Sequence, residues 1–159
     1  IKETLHSALV IADEFRAKEG EVLRKDLILR KDLIMAYLNE VPSFEQERHE
    51  NIKNRLIKNL TELTQSGKYD ENRFEQELIF YLEKLDITEE KVRLAKHCAY
   101  FDETIDEDGA GKKLGFITQE MGREINTLGS KANDANIQRL VVQMKDELEK
   151  IKEQLFNIL

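Results

Sequence analysis

IQRLVVQMKDELEKIKEQLFNI, residues 137–158, sets apolar side chains at Ile137, Val141, Met144, Leu148, Ile151, Leu155 and Ile158. The spacings alternate between four and three, which holds one apolar seam along a single helix face and suits a parallel or antiparallel neighbour. A half-buried strand would alternate every second residue, and no stretch of the chain does so convincingly. The seam can be covered from within the chain's own bundle or by another subunit, and spacing alone leaves both open. Asn133 or Asp134 stands where a cap would open this helix.

Immediately upstream, residues 111–131 read GKKLGFITQEMGREINTLGSK. Leu114, Ile117, Met121, Ile125 and Leu128 form a stripe at helical spacing. Glu120, Glu124, Thr127 and Lys113 share a second sector of the same helix, and Gln119, Arg123, Asn126 and Lys112 share a third. Surface helices rarely gather amides and a guanidinium beside two carboxylates, because these groups are built for directional hydrogen bonding. Gly129 is placed to close the helix in the left-handed conformation.

Five helical stretches can be marked besides this short one. The first runs over about residues 3–40, with Leu5, Leu9, Ala12, Phe15, Val22, Ile34, Tyr37 and Leu38 as its apolar positions and an ambiguous face around Arg24–Lys31. Pro42 ends it, since proline has no amide to continue the ladder. Ser43 is expected to cap the second helix, whose stripe is Ile52, Leu56, Leu60 and Leu63, with a break at Ser66, Gly67 and Lys68. A third helix follows from Asp70 to about Leu85. Asp86 and Glu89 match a capping box before the fourth, which sets Leu94, Cys98, Phe101 and Ile105 on one face. The acidic cluster of Asp102, Glu103, Asp106, Glu107 and Asp108, then Gly109-Ala110-Gly111, ends that helix. The seam of residues 137–158 makes the fifth. The expected architecture is all-α: an elongated helical bundle with long antiparallel helices and a heptad-patterned C-terminal helix. Self-association through the apolar stripes, the last helix included, is expected.

The 159 residues suffice for a real core. A charged fraction of 36%, one proline and no tryptophan suit long helices with wet faces. The single cysteine, Cys98, rules out an internal disulfide and is compatible with a reducing compartment. No apolar run approaches a membrane span. The net charge of −7 opposes nucleic-acid binding by the chain as a whole. Residues 111–131 are the exception, with Lys112, Lys113, Arg123 and Lys131 against Glu120 and Glu124.

The run GKKLGFITQEMGREINTLGSKANDANIQRLVVQMKDELEKIKEQ, residues 111–154, resembles the C-terminal signature of the YicC-like bacterial proteins, the YicC/YloC family. The block QEM-GREINTLGSK carries most of the specificity. DITEEKVRLAKHCAYF, residues 86–101, is similar to the family's approach to it, and the first helices agree in layout, with the Arg-rich step after Pro42. Gly115 stands where many relatives have Asp and Gly122 where many have Asn, so a carboxylate role at the first cannot be transferred; both glycines are expected to let another backbone come close. The resemblance implies a cytoplasmic, homo-oligomeric endoribonuclease that cuts RNA with a divalent metal. It also implies a division into residues 1–86, a long helical hairpin region with the family's N-terminal domain missing upstream, and residues 87–159, the signature domain.

Within that frame each group has a task suited to its chemistry. Glu120 and Glu124 lie one turn apart, where like charges cost about 0.2–0.5 kcal/mol. A divalent cation, Mg²⁺ or Mn²⁺, would offset the repulsion; so would ordinary salt bridges, with Arg123 or with a lysine of another helix. Arg123 can hold a phosphate by two parallel hydrogen bonds. Gln119 and Asn126 can orient water or a ribose hydroxyl. Lys112, Lys113 and Lys131 suit phosphate steering. His97, flanked by Arg93 and Phe101, is either a half-buried structural residue or a general acid or metal ligand. His6 and His49 read as surface residues and Cys98 as core. Asp106–Gly109 lacks the first and closing ligands of a calcium loop, and Gly109–Lys113 lacks phosphate-loop spacing. A non-catalytic oligomerisation or scaffold bundle is the rival reading.

Overall fold

A computed structural model of the chain describes residues 2–63 and 71–156. Among these residues there are six helices and no strand: α1 (Lys2–Glu40), α2 (Pro42–Leu63), α3 (Glu71–Lys84), α4 (Thr88–Thr104), α5 (Gly111–Ala132) and α6 (Ala135–Phe156). The side chains of Leu5, Leu60 and Leu63, the break at Ser66–Lys68, Asp70 and Ile158 lie outside them.

The two strongest stripes in the sequence make the core. Ile137, Val141, Met144, Leu148, Ile151 and Leu155 of α6 are all buried, and so are Leu114, Ile117, Met121, Ile125 and Leu128 of α5. α5 lies between α4 and α6, while the second half of α1 covers α6 and touches α4. Cross-helix pairs fix the directions. Arg30 meets Glu147 and Asp26 meets Gln154, so α1 and α6 are antiparallel. Lys131 meets Glu90 and Lys113 lies over the Tyr100 ring, so α4 and α5 are too. The α6 seam is therefore covered from within the chain. That corrects the expectation that the last helix offers its seam for self-association.

α1 departs from the sequence reading. Leu27, Ile34 and Leu38 are buried and resolve the ambiguous middle, but Leu9, Ala12, Phe15 and Val22 are exposed. Length explains the difference. A helix of 39 residues spans about 58 Å and α6, of 22 residues, about 33 Å. With Asp26 already opposite Gln154, near the end of α6, the first half of α1 extends beyond its partner.

The joints are built by specific polar groups. Pro42 opens α2 rather than merely closing α1, at the first helical position, where its missing amide costs nothing. The Ser43 hydroxyl donates back to the Glu40 carbonyl at 2.6 Å instead of capping α2, and Val41, fully buried, anchors the corner. The capping box before α4 is half formed: Asp86 Oδ1 accepts from the Thr88 amide and hydroxyl, at 3.1 and 2.7 Å, while Glu89 turns to Arg93. Asp134 caps α6 by accepting the amides of Asn136 and Ile137 at 2.9 and 3.0 Å. Ile105 follows α4 and rests against the core. Three acids of the cluster around it are clamped to basic residues: Asp106 takes Arg24, Asp102 takes Lys31 and Glu107 takes Lys113. Burial penalises the Lys31 charge, yet Asp102 and Asp32 hold its pKa above the usual lysine value.

Arg48 is the largest fully buried side chain. Its guanidinium donates to the carbonyls of Lys131 and Ala132, the last turn of α5, and of Leu85, just past α3. One cation thus closes two helix ends, where unsatisfied carbonyls concentrate negative potential. Burial pulls its pKa below the usual arginine value.

The left-handed residue that ends α5 is Asn133 (φ 48°), not Gly129, which sits inside the helix. Gly129 serves close packing: a Cβ there would lie 2.9 Å from Val141 Cγ1 on α6. At Gly122 a Cβ would meet the Leu148 side chain at 3.2 Å, and at Gly115 nothing within 4 Å, so among the described residues no other helix's backbone closes on either glycine. Opposite outcomes follow. Gly129→Ala is expected to destabilise by about 1–3 kcal/mol, because valine is stiff and cannot turn away. Gly115→Ala is expected to stabilise by about 0.5–1 kcal/mol through helix propensity. Urea unfolding of both variants checks this, and a neutral Gly129→Ala would refute the close contact.

Candidate active site

The face that α5 turns to α4 carries alternating charge. Glu90 of α4 is buried, with Oε1 accepting from Lys131 Nζ at 2.7 Å and Oε2 buried without a partner. Glu124 of α5 is also buried, and its charge partner is Arg93 Nη1, at 3.9 Å. Glu120, one turn earlier, is 43% exposed at its side chain and meets Arg123 Nη1 at 3.5 Å. The antiparallel register set by Glu90–Lys131, Arg93–Glu124 and Tyr100–Lys113 brings His97, half-buried, level with the turn of Glu120. The two glutamates do share a face, as their spacing implied, and two arginines rather than lysines offset their repulsion.

The remaining candidates spread round the helix. Arg123 and Asn126 are exposed on the solvent side. Gln119 and Lys112 line a separate groove between the start of α5 and the end of α6. Lys113 is engaged by Glu107 at 2.8 Å and by the Tyr100 ring, and Lys131 by Glu90. Of the three lysines assigned to phosphate steering, Lys112 alone has no acidic partner among the described residues. His6 and His49 are exposed. Cys98 is core, its thiol pushed up to about 12 by burial, which suppresses the thiolate a nucleophile requires.

Among the described residues no three His, Cys, Asp or Glu side chains gather closely enough to cage a metal. Glu120 and Glu124 still have lone pairs to give, since each is only loosely paired, with Arg123 at 3.5 Å and Arg93 at 3.9 Å. Two carboxylates of this kind fit a cation of the Mg²⁺ class, which keeps several waters and takes substrate phosphates as further ligands.

Sequence reading missed Glu90 and the part Arg93 plays. Both lie on α4, and their partners sit about thirty to forty residues away on α5, beyond the reach of local spacing. The signal available was the i, i+3 placement of Glu90 and Arg93 beside the α4 apolar stripe.

Residues 41–159 match the family model "Endoribonuclease YicC-like, C-terminal". The chain is 39% identical over 160 residues to "Probable endoribonuclease YicC" of Clostridioides difficile (strain 630), covering 99% of this chain and 55% of that protein. It is 33% identical over 144 residues to the protein of the same name from Haemophilus influenzae, covering 90% of this chain and 50% of the relative. The chain thus spans about half the length of these relatives. With three quarters of its residues inside the family model, the chain belongs to the YicC-like endoribonuclease family.

Proposed function

We propose that this chain is the helical C-terminal part of a cytoplasmic, homo-oligomeric endoribonuclease that hydrolyses RNA phosphodiester bonds with a divalent metal. Glu120 and Glu124 would hold Mg²⁺ or Mn²⁺. Such a cation supplies Lewis acidity at a phosphoryl oxygen and acidifies bound water. Arg123, exposed and only loosely paired, is free to fork onto the scissile phosphate. His97, half-buried on α4, would suit proton transfer to the leaving oxygen. Asn126 and Gln119 orient water or the 2′-hydroxyl. Lys112 draws the strand in, while Lys113 and Lys131 steer only by exchanging their carboxylates for phosphate.

The observation that carries this reading is Glu124. It is a carboxylate of low exposure on the α4-facing side of α5 whose charge partner, Arg93, stands as far as 3.9 Å away, so it keeps lone pairs for a further ligand. No helix among the described residues is long and apolar enough to cross a membrane.

Cleavage of a structured RNA by the whole protein, with and without chelator, tests the proposal. Chelation is expected to abolish cleavage and added Mg²⁺ or Mn²⁺ to restore it; cleavage indifferent to chelator removes the metal role. These 159 residues alone, at net charge −7, are expected to bind RNA poorly and cut slowly or not at all. Turnover equal to that of the whole protein would show that the site is complete within them.

A further inference from the structure

We propose that the groove between the start of α5 and the end of α6 receives one unpaired nucleobase of single-stranded RNA, stacked on Phe116 and Phe156, with its phosphate at Lys112. The proposal rests on the nuclease reading for its choice of nucleic acid and adds where and in what form the strand is gripped.

The groove encloses about 370 Å³, within the roughly 300–1,000 Å³ typical of small-ligand pockets. Leu155 helps form its wall, and Gly115 gives it width, because nothing lies within 4 Å of where a Cβ would stand. Phe116 is 58% exposed and Phe156 80%. Two aromatic rings left this open on neighbouring helices make a stacking surface, and any base can use it because every base has a π-face. The charges agree with that occupant. In an acidic chain, Lys112 stands at the rim with no carboxylate among the described residues to neutralise it, while Lys152 on the opposite side is held by Glu149 at 2.6 Å. Gln119 offers an exposed amide able to donate to and accept from a base edge. An aliphatic peptide segment would satisfy the rings but leave Lys112 and Gln119 without a task.

Gln119 and Glu120 are consecutive on α5, so a strand anchored in the groove continues round the helix toward the glutamate face. A base inside a duplex is already stacked and cannot enter. The groove therefore selects unpaired RNA.

The test uses a 2′-O-methylated single-stranded oligonucleotide carrying 2-aminopurine, which cannot be cleaved, titrated into the whole protein. Binding is expected to quench the fluorophore. Phe156→Ala and Phe116→Ala are each expected to weaken binding by about fivefold or more and to relieve the quench. Lys112→Gln should lower the salt dependence of binding by about one phosphate contact. Gly115→Leu fills the groove while keeping every aromatic, and should block quenching even where a phenylalanine variant melts early. Unchanged affinity and quenching in both phenylalanine variants and in Gly115→Leu would overturn the proposal. So would intact RNA binding together with a reduced oligomer mass in these variants, which would assign the groove to a second copy of the chain. Because the probe is not cut, loss of this site leaves the glutamate proposal standing, and failure of the glutamate proposal leaves the quench in place.

Discussion

Replacing Arg48 by methionine is expected to lower the unfolding free energy by about 3–5 kcal/mol. The substitution keeps a long apolar stem and removes the donors that serve Lys131, Ala132 and Leu85. Each buried carbonyl left without a donor costs about 1–3 kcal/mol, and the relief of desolvating a buried cation offsets part of the sum. Burial already depresses the arginine's pKa, so the charge is held at a cost that its carbonyl acceptors and the nearby Glu45, Asp134 and Asp86 carboxylates offset. At about 2–4 °C per kcal/mol for a chain of this size, Tm should fall by roughly 10 °C. Arg48→Lys should recover little, since one ammonium cannot span two helix ends. Chemical unfolding measures both variants. A loss below about 1 kcal/mol for Arg48→Met would show that water or neighbouring amides replace the guanidinium readily.

The consequence of losing Arg48 reaches the site. It ties the end of α5 to α2 and to the segment after α3, and Lys91–Glu45 at 2.7 Å makes a second tie between α4 and α2. α4 and α5 carry the glutamate face between them. Their relative register is therefore held at one end by the Arg48 clamp and at the other by Lys113 and Glu107 across the connection.

What the sequence made legible follows from the range of the forces involved. α5 and α6 could be read because their apolar positions recur within one element, and burial of Met121, Ile125, Met144 and Ile151 matches the spacing. The first half of α1 has a similar stripe, yet spacing says only that an apolar face exists, not whether another helix is long enough to cover it. Gly129 looked like a terminator because glycine commonly takes the left-handed conformation; Asn133 does so instead, and the glycine is needed where Val141 approaches. The glutamate pair and His97 were visible as chemistry. Arg123, three residues from Glu120, was also within reach of local spacing, but Glu124's partner Arg93 and the Arg48 clamp were not, since they act across 31 and 84 residues. Local pattern carries no record of such contacts. The acidic cluster illustrates the same limit, for its charges could be counted but Arg24 and Lys31 could not be assigned to them.

Glu120→Gln and Glu124→Gln are expected to reduce RNA cleavage by the whole protein at least about tenfold, a loss of about 1.4 kcal/mol of transition-state stabilisation. Glutamine keeps the shape and helix propensity and removes the charge a cation requires. The two positions differ in what folding should register. Glu120 is half exposed, so its neutralisation should leave stability within about 0.5 kcal/mol. Glu124 has little exposure and a single long ion pair, to Arg93 at 3.9 Å, so neutralising it gives up little pairing and spares a charge its desolvation. Glu124→Gln should therefore hold or raise stability while activity falls, which a purely structural carboxylate would not do. Arg123→Lys should also impair cleavage, because an ammonium lacks the planar fork that grips a phosphate. Activity and metal dependence are read from cleavage across a Mg²⁺ titration, and stability from urea unfolding of the same preparations. Should both glutamine variants retain full activity with an unchanged metal dependence, these carboxylates are structural and the catalytic centre lies on another surface.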